Sequence, residues 1–199
     1  MEQEVLRFRL DDSPTPSKGP EAAYVQCVHT DWVYTVTFNA NTGSGNMNVF
    51  TYTNSAALPV NSFVKAGHVF NGWNTKSDGT GVPYEDGDDV SADLTLYAKW
   101  TANGYAVTFD RQGGSGGSGT VTATYAQPMP AATVPARTGY EFKGYWSGEG
   151  GVGVQYYTAA GASARDCDFI SAKTLYAKWT ANAYTVSFVP NKSDVELLQ

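Results

Sequence analysis

The octet "LYAKWTAN" occupies residues 96–103 and returns unchanged at residues 175–182, 79 positions later. A chain that housed two unrelated chemistries would have no need of this repetition, whereas a structural unit used twice would. Within the octet Leu96, Ala98 and Trp100 fall on one side of an extended chain, and Leu94 carries that side one step further back. Tyr97 and Lys99 fall on the other side. A period of two residues with one apolar side is the pattern of a half-buried strand. Leu175, Ala177 and Trp179 repeat it in the second copy.

Reading outward from the octet, the repetition extends over whole units. "YTVTFNA" begins at Tyr34, "YAVTFD" at Tyr105 and "YTVSFV" at Tyr184. Tyr34, Val36 and Phe38 share one side of a strand, as do Tyr105, Val107 and Phe109, and again Tyr184, Val186 and Phe188. Glycine- and asparagine-rich stretches follow, "NANTGSGN" and "RQGGSGGSG", whose residues tolerate the positive φ that turns between strands require. Second strands are predicted over 47–53 ("MNVFTYT") and 120–126 ("TVTATYA"). The glycine-rich loop does not read as a phosphate cradle, since no G-K-[ST] ending and no helical segment follow it.

The next connections contain Pro59 in the first unit and Pro128, Pro130 and Pro135 in the second, leaving room for one helical turn at most. "GHVFNGW" (67–73) then matches "GYEFKGYW" (139–146), placing Phe70 and Phe142 on the apolar side. Gly72 and Gly144 precede Trp73 and Tyr145 at the same offset, and a glycine inside a strand marks a bulge or a close backbone approach. A variable loop spans 27 positions from Trp73 to Trp100 but 34 from Tyr145 to Trp179, so it lies outside the repeated core. The predicted core therefore comprises Tyr34, Val36, Phe38, Phe70, Trp73, Leu96 and Trp100, with Tyr105, Val107, Phe109, Phe142, Tyr145, Leu175 and Trp179 in the second unit.

Composition narrows the function. The chain is 42% hydrophobic and 14% aromatic, the balance of a folded protein. A net charge of −6 excludes a nucleic-acid binder, which needs a basic stripe. No run approaches the ~18 apolar residues of a membrane span. "MEQEVLRFRLDD" has no apolar stretch of the kind that marks a signal peptide. Cys27 and Cys167 form no cysteine framework and read as free thiols. No H-E-x-x-H, G-x-S-x-G or Cys/His arrangement is present, and no catalytic residue, cofactor or metal site is expected.

"YTVTFNANTGSG", "AGHVFNGWNTKSDGTG" and "LTLYAKWTA", in that order, resemble the Listeria–Bacteroides repeat, the family that includes the internalin B-repeat. Residues 34–102 follow its pattern throughout. Residues 105–180 follow it with Asp110 in the place of Asn39, Tyr145 in that of Trp73, and a longer late loop. The resemblance implies a mainly β architecture of tandem small β-grasp-like modules with little or no helix. It implies a spacer, stalk or adhesion segment on the surface of, or secreted from, a bacterium, without catalytic activity. The expected division is an N-terminal segment 1–33, repeat 1 over 34–102, repeat 2 over 103–181, and the truncated start of a third repeat over 182–199.

Three features bear on ligands. Trp32, Trp146, Tyr156 and Tyr157 stand outside the repeated core and could stack on sugar rings, which makes Trp146, Tyr156 and Tyr157 the candidate contacts of a glycan- or cell-wall-binding module. The plainer reading has them covering the second face of the sheet. "YEDGDD" (84–89) is the one acidic cluster, and since unit two has no counterpart it reads as a solvated loop rather than a calcium site. His68 stands where unit two has Tyr140 and reads as a core-filling ring. The partner is thus an unknown protein or glycan on a cell surface, with self-association through the unpaired strand 184–189 as a further expectation.

Overall fold

A computed structural model of the chain describes residues 32–188. Residues 1–31 of the expected N-terminal segment, Cys27 among them, lie outside the described residues.

The first unit builds a five-stranded sheet from residues whose side chains alternate. β1 (Val33–Asn39) pairs antiparallel with β2 (Phe50–Thr53), setting Tyr34 opposite Tyr52. β7 (Leu94–Ala102), the strand of the octet, runs parallel to β1 with Phe38 opposite Leu96. β4 (His68–Asn74) lies antiparallel on its other side, and the two-residue β5 (Pro83–Tyr84) closes the edge. The order is β2-β1-β7-β4-β5, a mixed sheet whose first and last long strands lie parallel at its centre, as in a β-grasp. Two short strands, β3 (Ala56–Ala57) and β6 (Asp89–Val90), pair beside it.

The second unit repeats this plan. β8 (Gly104–Asp110) takes the place of β1, β9 (Thr120–Thr124) that of β2, β10 (Tyr140–Gly148) that of β4 and β12 (Lys173–Ala181) that of β7. The longer late loop turns into structure: β11 (Val152–Tyr157) stands where β5 stood, with six residues instead of two. Both second strands are shorter than the alternation suggests, and beyond the second one Tyr125 bridges to Cys167 instead. Among the described residues the only helical element is the single 3₁₀ turn Glu149–Gly151. Among the described residues no helix is long and apolar enough to cross a membrane.

Each unit encloses its own core. Val36, Phe38, Trp73 and Leu96 are buried in the first, with Tyr34, Phe70 and Trp100 packed around them. Val107, Phe109, Phe142, Tyr145 and Leu175 are buried in the second, flanked by Tyr105 and Trp179. The glycine before the central aromatic explains how one strand can bury neighbouring residues. Gly72 has φ 82° and Gly144 φ 115°, and the β4–β7 and β10–β12 registers each slip there. The resulting bulge turns Trp73 and Tyr145 into the core.

Residues 182–188 belong to no strand, and Tyr184, Val186 and Phe188 are exposed. The strand expected over 184–189 is therefore not formed over its described part.

Candidate functional site

The β10–β11 hairpin carries all three proposed ligand contacts, and it places them differently. Tyr156 and Tyr157 are 3% and 0% exposed, so neither offers a ring face to a sugar. This corrects the reading of Tyr156 and Tyr157 as candidate ligand contacts and favours the plainer one, in which they pack. Tyr157 packs against Phe109 at 5.2 Å and Tyr145 at 6.1 Å in the sheet's own core. Tyr156 packs against Phe169 at 5.7 Å, under the return loop whose Ala164 N–H donates to the Tyr156 carbonyl. Two adjacent residues can both be buried because the hairpin covers one side and the loop the other.

Trp146 is half-buried on the outer face, beside Tyr176 on β12. The Lys178 ammonium sits 4.8 Å from its ring centroid, within cation–π range. Gly151 lies flush against the Lys178 stem, where a Cβ would overlap it, so the 3₁₀ turn holds the lysine in place. The indole N–H of Trp146 is buried without a hydrogen-bond partner. Trp32 is exposed at the beginning of the described chain, far along the sequence from this hairpin.

The phenols around this core are held protonated. Burial, reinforced by the hydrogen bond to Asp168, pushes the Tyr156 hydroxyl up to about 12. Burial pushes that of Tyr157 to about 12 as well, with the Cys167 thiol as a smaller contributor. Tyr156 donates to Asp168 at 2.6 Å, and Arg165 pairs with the same carboxylate at 2.6 Å. The hydroxyls of Tyr145 and Tyr157 are buried and unpartnered. Cys167 is a buried free thiol whose pKa burial raises, the opposite of what an activated cysteine needs.

In unit one the acidic loop is structural as well as solvated. Asp86 accepts the Trp73 indole N–H at 2.9 Å and the Asn61 backbone N–H at 3.0 Å, while Asp88 accepts the Glu85 N–H at 2.8 Å. Among the described residues no three His, Cys, Asp or Glu side chains gather as metal ligands. Sequence reasoning also passed over Asn74, 1% exposed, whose Oδ1 accepts from Lys76 N at 3.0 Å and Gly81 N at 2.9 Å. Its signal was the polar turn "NTKSDGTG", which needs an internal cap. His68 is not a core ring: it stands half-buried at the joint between units, edge-on to Tyr125 at 5.6 Å.

Among the described residues, what recurs in both units is packing. The pattern of the Listeria-Bacteroides repeat domain matches residues 34–99 and again residues 105–178. The chain belongs to this family. Both matched Listeria-Bacteroides repeats coincide with a five-stranded sheet. Among curated proteins, one named as a Gly-rich membrane protein of Evansella cellulosilytica is 39% identical over 159 residues, 79% of this chain and 17% of that protein. A second membrane protein of the same organism is 39% identical over 99 residues, 49% of this chain and 14% of the relative. Internalin H of Listeria monocytogenes is 32% identical over 125 residues, covering 59% of this chain and 20% of its own length. The chain therefore spans a fifth or less of the length of these relatives.

Proposed function

We propose that this segment is a non-catalytic spacer or stalk of a bacterial cell-surface or secreted protein, with repeat units at 34–102 and 103–181. Membership of an internalin-type repeat family supports the surface setting. The observation that carries the spacer reading is that the same closing-strand contacts recur in both units. Trp100 donates its indole N–H to Ala40 at 2.9 Å and Trp179 donates to Arg111 at 2.9 Å. Of the three aromatic side chains proposed as ligand contacts in repeat 2, Tyr156 and Tyr157 are absorbed into packing and Trp146 is half-buried under Lys178. Pulling on the chain by its ends should give two unfolding events of similar force, the behaviour of modules in series. One merged event, or none, would contradict a tandem spacer.

The alternative is a glycan-binding module on the Trp146 face of repeat 2, favoured by the partly exposed ring and the lysine beside it. Tyr156 and Tyr157 no longer support it. Specific signal on a glycan array that disappears with Trp146→Ala would replace the spacer reading, and a blank array would remove the alternative.

A further inference from the structure

The joint between the two repeats is built from a few contacts, and half of the same joint is present again at the far end of the second repeat. At the first joint the Asn103 N–H donates to the Gly67 carbonyl at 2.8 Å, and the Tyr125 N–H donates to the Asn103 carbonyl at 2.9 Å. Gly67 is buried with φ 70°, and a Cβ on it would overlap the Tyr125 ring. His68, the next residue, meets that ring edge-on at 5.6 Å. A tyrosine of the following repeat thus sits in a cradle made by the preceding one.

At the second joint the Asn182 N–H donates to the Gly139 carbonyl at 2.9 Å, reproducing the Asn103–Gly67 bond. Asn182 Nδ2 donates to the Tyr184 hydroxyl at 3.3 Å, as Asn103 Nδ2 does to that of Tyr105 at 3.3 Å. Gly139 has φ 77°, matching Gly67, yet nothing lies within 4 Å of the place a Cβ would take. Tyr140, in the place of His68, is 39% exposed, and Arg137 stacks on its ring at 3.9 Å from the centroid. The backbone of the cradle is set and its aromatic wall is in place.

We infer that Gly139, Tyr140 and Asn182 form a docking surface for a further repeat of this kind in the same chain. The ring it receives is a tyrosine at the position Tyr125 holds in repeat 2. The occupant follows from continuity: Asn182 and Tyr184 already stand in the relation that starts repeat 2. The ring held against the glycine and the neighbouring aromatic fixes the angle between neighbouring units, so successive repeats propagate one geometry rather than hanging as loose beads. This rests on the spacer reading and names what the second repeat contacts within it.

The test uses an extended chain, residues 1–183 followed by a second copy of 105–181, which puts the copy's first tyrosine where Tyr184 stands. Hydrogen–deuterium exchange is followed over residues 137–143 and at Asn182. Appending the copy is expected to slow exchange there by roughly tenfold or more, and Tyr→Ala at the copy's counterpart of Tyr125 is expected to reverse it. A folded copy that leaves this exchange unchanged overturns the inference, as does protection that survives the Tyr→Ala change. Protection that appears only as concentration rises assigns the surface to a second molecule and overturns it too. A copy that fails to fold also counts against it, since the same unit folds behind repeat 1 in this register. A glycan-array signal would remove the spacer reading without altering the exchange result, so the two failures are distinguishable.

Discussion

Trp100 reaches from the last strand of its repeat to the loop after the first: its indole N–H donates to the Ala40 carbonyl at 2.9 Å. Gly43 lies against the ring, where an added Cβ would come within 2.7 Å of Cζ2. Trp179 bonds Arg111 at 2.9 Å, and Gly114 would bring a Cβ within 2.6 Å of its ring. The tryptophan therefore staples the glycine loop down over the sheet. Trp100→Ala or Trp179→Ala is expected to cost about 3 kcal/mol in urea melts, the low end for a large aromatic because each ring is only partly buried. Trp→Phe keeps most of the packing and loses the hydrogen bond, an expected cost of about 1 kcal/mol. Losses under about 1 kcal/mol for the alanine variants would show that the staple contributes little.

Asp86 ties the acidic loop to the core through Trp73 and Asn61. Asp86→Ala is expected to destabilise repeat 1 by about 1–3 kcal/mol, because it strands a buried indole N–H. A chelator, by contrast, should leave the thermal midpoint of the whole chain unchanged. A bound ion that favours the native state must raise its stability, so a clear drop on chelation would show that the carboxylates hold a cation.

The Tyr157 hydroxyl is buried without a partner, which makes Tyr157→Phe an unusual core substitution. It removes an unsatisfied polar atom and nothing else, so stability near neutral pH is expected to stay level or rise by about 1 kcal/mol. A loss larger than that would mean the hydroxyl is bonded in solution.

The same phenols make repeat 2 alkali-sensitive. Their folded-state pKa values, about 12, lie above the ordinary 10.0, so the folded form holds its protons more tightly. The stability this represents is complete below about pH 10 and is lost as pH rises through about 12. Tyrosinate absorbance and unfolding should rise together over that window, and Tyr157→Phe should flatten the pH dependence. An unchanged profile in that variant would assign the alkaline loss to other groups.

The long strands could be read from sequence because their information is local. Tyr34, Val36 and Phe38 alternate within five residues, and Gly72 and Gly144 announce the bulges that the registers then show. Repetition gives a second reading of every position, so that Tyr145 reads as the counterpart of Trp73, and both rings are fully buried. The features that escaped depend on segments distant in the chain. Tyr156 is covered by residues 164–169 and His68 by Tyr125, and no periodicity within either strand encodes those neighbours. Asp86 escaped for a related reason: a carboxylate in a run of carboxylates reads as solvated until the indole N–H it accepts is located.

The segment 184–188, expected to open a third unit, belongs to no strand and presents its apolar side chains to solvent: Tyr184 is 75% exposed, Val186 73% and Phe188 92%. Its counterpart in repeat 1, differing only by Thr37 for Ser187 over five residues, buries Val36 completely and leaves Phe38 at 9%. An extended segment with open hydrogen-bonding groups and an uncovered apolar side is a template for pairing with another chain. Removing it should therefore change the association of the protein rather than the folding of either repeat. Residues 1–199 are expected to show an apparent mass that grows across a concentration series, while 1–181 stays monomeric with an unchanged melt. Phe188→Lys in the full chain should reproduce the behaviour of 1–181, since a charge on the exposed face blocks pairing without shortening the chain. If both lengths run as monomers at every concentration, the exposed segment does not drive self-association.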